Sequence, residues 1–113
     1  MRVFFASRIL KERCSVAHAG TIAWGSHATI VHRRLAQLQA VPTLAAMMQF
    51  PPRLRPSSRS AAHPDEFVLP VVAPFQIIFA AVGEDGARLD GARFKPEHIT
   101  SALILSIEKR HGA

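Results

Sequence analysis

The chain reads as an α+β domain: a small, mostly antiparallel sheet with two to three N-terminal helices packed on one face. Three observations predict this. A short β-like run opens the chain, segments with helical apolar spacing follow it, and runs rich in Val, Ile and Phe fill the second half. Helices grouped ahead of strands, rather than alternating with them, favour helices segregated to one side of an antiparallel sheet. At 113 residues and 49% apolar composition, the chain fits one domain over 1–113 with a real core.

The elements follow in order. "RVFFAS" (2–7) has the Val and Phe content of a strand. Ser7 is placed to cap a helix over "RILKERCSVA", with Ile9, Leu10 and Cys14 on one side. "HAGTIAWG" is expected to interrupt, because Gly20 and Gly25 weaken a helix there. Ser26 is a second candidate cap, and "HATIVHRRLAQLQAV" is the clearest helix in the chain. Its stripe is Ile30, Val31, Leu35 and Leu38, with Arg33, Arg34 and Gln37 mostly off it. Pro42 stops that helix, and "TLAAMMQF" makes a short apolar one. Four prolines forbid any element through "PPRLRPSSRSAAHPDE" (51–66). "EFVLPVV" and "FQIIFAAV" then read as strands divided by Ala73-Pro74, with Pro70 marking an edge or a bulge. A turn-rich, Gly-containing connection leads to a last strand in "ITSALILSIEKR". There Leu103, Leu105 and Ile107 alternate with Ile104, Ser106 and Glu108.

Charge is divided unevenly. Residues 1–64 carry +8 and residues 65–113 carry −2, and eleven of the fourteen basic residues are Arg. Arg binds phosphate as a planar fork, so this asymmetry points to a polyanion partner, most often nucleic acid. A solvated Arg-rich surface is the competing reading. One Cys excludes an internal disulfide and a Cys-rich zinc site, and the six His are scattered, so no metal or other cofactor is expected. The opening apolar runs are too short for a secretory signal, although an Arg-rich transit peptide is a rival reading. "FVLPVVAPFQIIFAAV" (67–82) is too short and too interrupted for a membrane span. A cytoplasmic protein without a membrane partner is expected.

No nucleophile elbow, P-loop, dinucleotide fingerprint or His-Glu-x-x-His occurs. The candidate site is built instead from cations. Arg53, Arg55 and Arg59 lie in the Pro-rich loop before the strands, with His63 after them. Arg33 and Arg34 lie on the basic helix. Lys109, Arg110 and His111 end a strand expected to run beside the one carrying Gln76. Loop and tail then meet over one sheet face.

These segments together resemble the RelE superfamily of bacterial toxins, and within it the HigB-like plasmid maintenance killer branch. The likeness is carried by the opening strand with "ILKERC", by "HRRLAQLQAVPTLAAM" (32–47), by "FVLPVVAPFQIIFAAV" and by "DGARLDGARFKPEHITSALILSIEKRHG". The resemblance implies a metal-independent, ribosome-dependent mRNA endoribonuclease. In such an enzyme the ribose 2′-hydroxyl attacks the adjacent phosphate and basic groups stabilise the developing charge. It also implies a helix-turn-helix, HigA-like antitoxin as partner in a hetero-oligomer. Carried over position by position, it assigns catalysis to Arg55, Arg59 and His111, with Gln76 where the branch has an Arg. RNA contacts fall to Arg33, Arg34, Arg53, His63, Lys109 and Arg110. Two alternatives stand beside it. One is a catalytically degenerate homologue that only binds its antitoxin in an operator complex. The other is a small basic nucleic-acid-binding protein.

Overall fold

The computed structural model describes residues 1–71, 74–89 and 95–109. Five strands form one sheet: β1 (Arg2–Phe5), β2 (Ser57–Ser60), β3 (His63–Pro70), β4 (Phe75–Val82) and β5 (Ser101–Lys109). Their spatial order is β1-β5-β4-β3-β2. Only β1 and β5 run parallel; the other three pairings are antiparallel. Four helices, α1 (Arg8–Ser15), α2 (Ala17–Trp24), α3 (Ala28–Ala40) and α4 (Leu44–Met47), lie between β1 and β2 in sequence. Trp24, Val31, Leu35, Leu38, Leu44 and Met47 bury against Phe67, Leu69, Ile77, Phe79 and Ile104 of the sheet. The expected α+β class, mostly antiparallel with helices packed on the sheet, is the observed one. No helix among the described residues is long and apolar enough to cross a membrane.

Ser7 caps α1 as its position predicts, accepting the Leu10 N–H at 3.1 Å. Ile9 departs from its expected place on the covered side and is 63% exposed, while Leu10 and Cys14 pack on the core. The segment expected to interrupt is helix α2. Gly20 is not a breaker there but a contact point. A Cβ at Gly20 would stand 2.7 Å from His32 Nε2 and 2.9 Å from the Arg13 carbonyl oxygen. The His32 ring nitrogen lies 2.9 Å from that same carbonyl and therefore carries the proton. α1, α2 and α3 thus meet where only glycine fits. Gly20→Ala is expected to destabilise the fold by about 1–3 kcal/mol, because the hydrogen-bonded His32 ring and the Arg13 backbone must both yield. A urea denaturation midpoint unchanged by that substitution would contradict this packing. α2 ends at Gly25, whose φ of 58° suits glycine. Ser26 does not cap α3; it lies in a 3-10 turn over Gly25–His27, and the α3 N-cap position makes no side-chain bond.

Two strand expectations change. The Pro-rich stretch contains β2, paired to β3 as Ser57↔Val68 and Ser60↔His63, with an irregularity between Ser58 and Ser60. All four β2 residues are exposed, so an edge strand forms with no apolar alternation to announce it. β3 is consequently interior, yet Pro70 is tolerated at its end. Val71 donates to the Phe75 carbonyl, so the alternate residue Pro70 turns its backbone away from β4, and β2 pairing extends only to Val68. In β5 the pairs Ile78↔Ser106 and Phe79↔Ile104 leave Leu105 as an extra residue. This bulge shifts the side-chain phase. Ala102 and Ile104 before it and Ile107 after it face the core, in place of the uniform Leu103/Leu105/Ile107 row.

Candidate nucleic-acid interface

The Pro-rich loop leaves α4 and crosses the end of β3 before entering β2. It is held there by a buried arginine. Arg34 is only 4% exposed, which corrects the expectation that it lies off the apolar stripe. It follows Val31 by three residues and precedes Leu38 by four, so helical spacing places it at the border of the buried face. Its Nε donates to the Pro70 carbonyl at 3.0 Å, Nη2 donates to the Leu54 carbonyl, and Nη1 donates to Gln37 Oε1. Leu54 sits between Arg53 and Arg55, so this guanidinium ties the basic loop to the strand end. No carboxylate pairs with Arg34 among the described residues. Burial pushes its pKa down.

Over that clamp lies a cavity of about 630 Å3. Arg53, Arg55, Ser57 and Gln76 supply its polar lining. Phe75, Val68, Val71 and three prolines supply the rest. Three predicted residues from two separate stretches thus share one concavity: Arg53 and Arg55 from the loop, and Gln76 from β4. Among the described residues no acid belongs to that lining. Phe75 is held from behind by the His27 ring, centroid to centroid 5.2 Å. Register sets Glu108 opposite Gln76 and Lys109 opposite Phe75, so β5 does run beside the strand carrying Gln76 and delivers Lys109 to this end of the sheet. Arg110 and His111 lie outside the described residues.

Arg59 and His63 are elsewhere. Arg59 lies near the Glu66 end of β3, four residues from Pro70, or about 13 Å along a strand. There Arg59 Nη1 meets Glu66 Oε1 at 2.7 Å. Arg88 bridges both acids, with Nε to Asp65 Oδ2 at 2.8 Å and Nη2 to Glu66 Oε2 at 2.6 Å. His63 Nδ1 stands 3.7 Å from Glu66 Oε2. For Asp65, the Arg88 hydrogen bond holds the carboxyl below the usual range against the opposing effect of burial. For Glu66, burial pushes upward, but hydrogen bonds from Arg59 and Arg88 outweigh it, and the net direction is down. The guanidinium of Arg59 is therefore already neutralised by a carboxylate. Arg33 is exposed on α3, away from its buried residues.

The sequence reading missed the clamp role of Arg34, the cavity wall at Phe75 and Ser57, and Arg88. The Val31-to-Leu38 spacing was a readable signal for Arg34; nothing local marked Arg88. Cys14 offers no nucleophile, since burial pushes its thiol up to about 12. No group of His, Cys, Asp and Glu among the described residues is arranged to hold a metal. The arrangement can grip an anion with two guanidiniums while an apolar wall and an amide meet whatever the anion is attached to. Comparisons with family models, curated proteins and solved structures find no match for this chain.

Proposed function

We propose that the chain is a RelE/HigB-like toxin of a type II toxin–antitoxin pair, acting on mRNA at the ribosome through the Arg53–Arg55 cavity. The observation that carries this reading is the convergence of Arg53, Arg55 and Gln76 on one concavity at the end of the sheet, with no acid among its described lining residues. The α+β order and the excess of Arg in residues 1–64 support it. In this reading the ribose 2′-hydroxyl is the nucleophile and the arginines stabilise charge developing on phosphorus. His111, following the end of β5, is assigned the proton transfer. A helix-turn-helix antitoxin is the expected partner.

A second reading is favoured by two specific features. Arg59 is paired with Glu66, and Gln76 brings no charge. A degenerate homologue that binds without cutting fits both. Induced expression in bacteria, with primer-extension mapping of a translated reporter mRNA, separates the two. Growth arrest with cuts in the reporter is expected, and Arg55→Ala should reduce cutting by roughly 10²–10³, the scale of a lost transition-state donor. Arg59→Ala should reduce it far less. Soluble protein that causes neither arrest nor cuts would leave the binding-only reading.

A further inference from the structure

We infer that the Arg53–Arg55 cavity is a mononucleotide subsite in which Gln76 reads the base. This rests on the proposed reading of the cavity as the RNA-contacting site and extends it to a ligand and a specificity residue.

The first observation is the buried charge beneath it. Arg34 is nearly sealed from water, and its partners among the described residues are a side-chain amide and two carbonyls, none of them charged. A buried cation without a counter-ion is costly unless something compensates it. The carbonyls that hold Arg34 belong to Pro70, itself in the cavity lining, and to Leu54, flanked by the lining residues Arg53 and Arg55. Two guanidiniums therefore line a space with no acid among its described lining residues, and Arg34 holds two of the backbone segments that frame it. Glu108, set opposite Gln76 by register, is not part of the lining, and its carboxylate accepts from Ser106 at 3.1 Å.

The second observation is that the cavity is more than an anion cradle. A phosphate needs only the arginines, yet six of the ten described lining residues are apolar. The volume falls within the roughly 300–1,000 Å3 of small-molecule sites. Phe75 and Val71 offer a dry wall for a flat ring, and the His27 ring behind Phe75 keeps that wall in place. Gln76 is the one lining group with both a donor and an acceptor on a planar amide, the equipment for a base edge. An Arg at this position would supply only donors and a second grip on phosphate. The amide trades charge for the capacity to discriminate.

The test is equilibrium titration calorimetry on the full chain, without ribosomes. The probes are inorganic phosphate, ribose 5-phosphate and the four nucleoside 5′-monophosphates. At least one nucleotide should bind about tenfold or more tightly than ribose 5-phosphate, the gain from one buried ring and a paired amide. The Arg53→Gln, Arg55→Gln double variant should weaken every phosphate probe. Gln76→Leu and Gln76→Met, checked for unchanged unfolding curves, should erase differences among the four bases. Ribose 5-phosphate binding as tightly as every nucleotide, or base differences surviving both Gln76 variants, overturns the inference. A failed reporter-cleavage assay does not bear on it. Reporter cleavage without nucleotide binding would sink this inference and leave the toxin reading standing.

Discussion

Arg34→Met is expected to lower the unfolding free energy by about 1–3 kcal/mol and to abolish anion binding at the cavity. Two effects oppose each other. Burying a guanidinium without a carboxylate is costly, so an apolar replacement recovers part of that cost. Against it, the Pro70 and Leu54 carbonyls lose their donors, and each unsatisfied buried acceptor costs about 1–3 kcal/mol. Two stranded acceptors outweigh one relieved charge, although Leu54 and Pro70 both recover part of their loss from water because each is only half-buried. Arg34→Lys should lie between, since a single ammonium cannot reproduce a fork that spans strand, loop and Gln37. Urea unfolding gives the stability, and phosphate titration of the folded variants reads the loop position. A methionine variant that is as stable as the parent and binds phosphate equally well would show that Arg34 does not hold the loop.

The second large effect is at the other end of β3. Glu66→Leu should cost about 1–3 kcal/mol at neutral pH, because one nearly buried carboxylate organises Arg59 and Arg88. The value sits below that of a fully buried pair, since Arg59 and Arg88 are 42% and 43% exposed and regain water. The same cluster sets an acid limb. Both Asp65 and Glu66 have folded pKa values below their unfolded ones. Their contribution is complete above the unfolded values near pH 4 and is lost as pH falls through the lower folded values. Unfolding midpoints measured from neutral pH down to about pH 2 should therefore drop below about pH 4 in the parent and drop less in Glu66→Leu. A double-mutant cycle with Arg88→Met should show a coupling above about 0.5 kcal/mol. Parallel acid limbs for parent and variant would contradict the assignment.

Arg59 shows why a site is harder to read than a fold. In sequence it is one of three arginines in a Pro-rich stretch, equivalent to Arg53 and Arg55. In space it lies on a strand that pairs it toward Glu66, while the other two border a cavity. The difference depends on β2, a polar strand whose pairing comes entirely from its neighbour. Arg88 is the parallel case, since it meets Asp65 and Glu66 from 23 and 22 residues away.

What the sequence by itself determined was the architecture and the polarity of the chain. Apolar periodicity over α3, Val/Ile/Phe density in β3, β4 and β5, and the cap at Ser7 are local properties, and local physics suffices to place them. The excess of Arg in residues 1–64 was equally plain. Only the tertiary structure decided which cations remain available to a ligand. A guanidinium's role depends on its spatial neighbours, and those arrive from distant stretches: Pro70 and Leu54 for Arg34, Glu66 for Arg59, and Gln76 in the same cavity lining as Arg53 and Arg55.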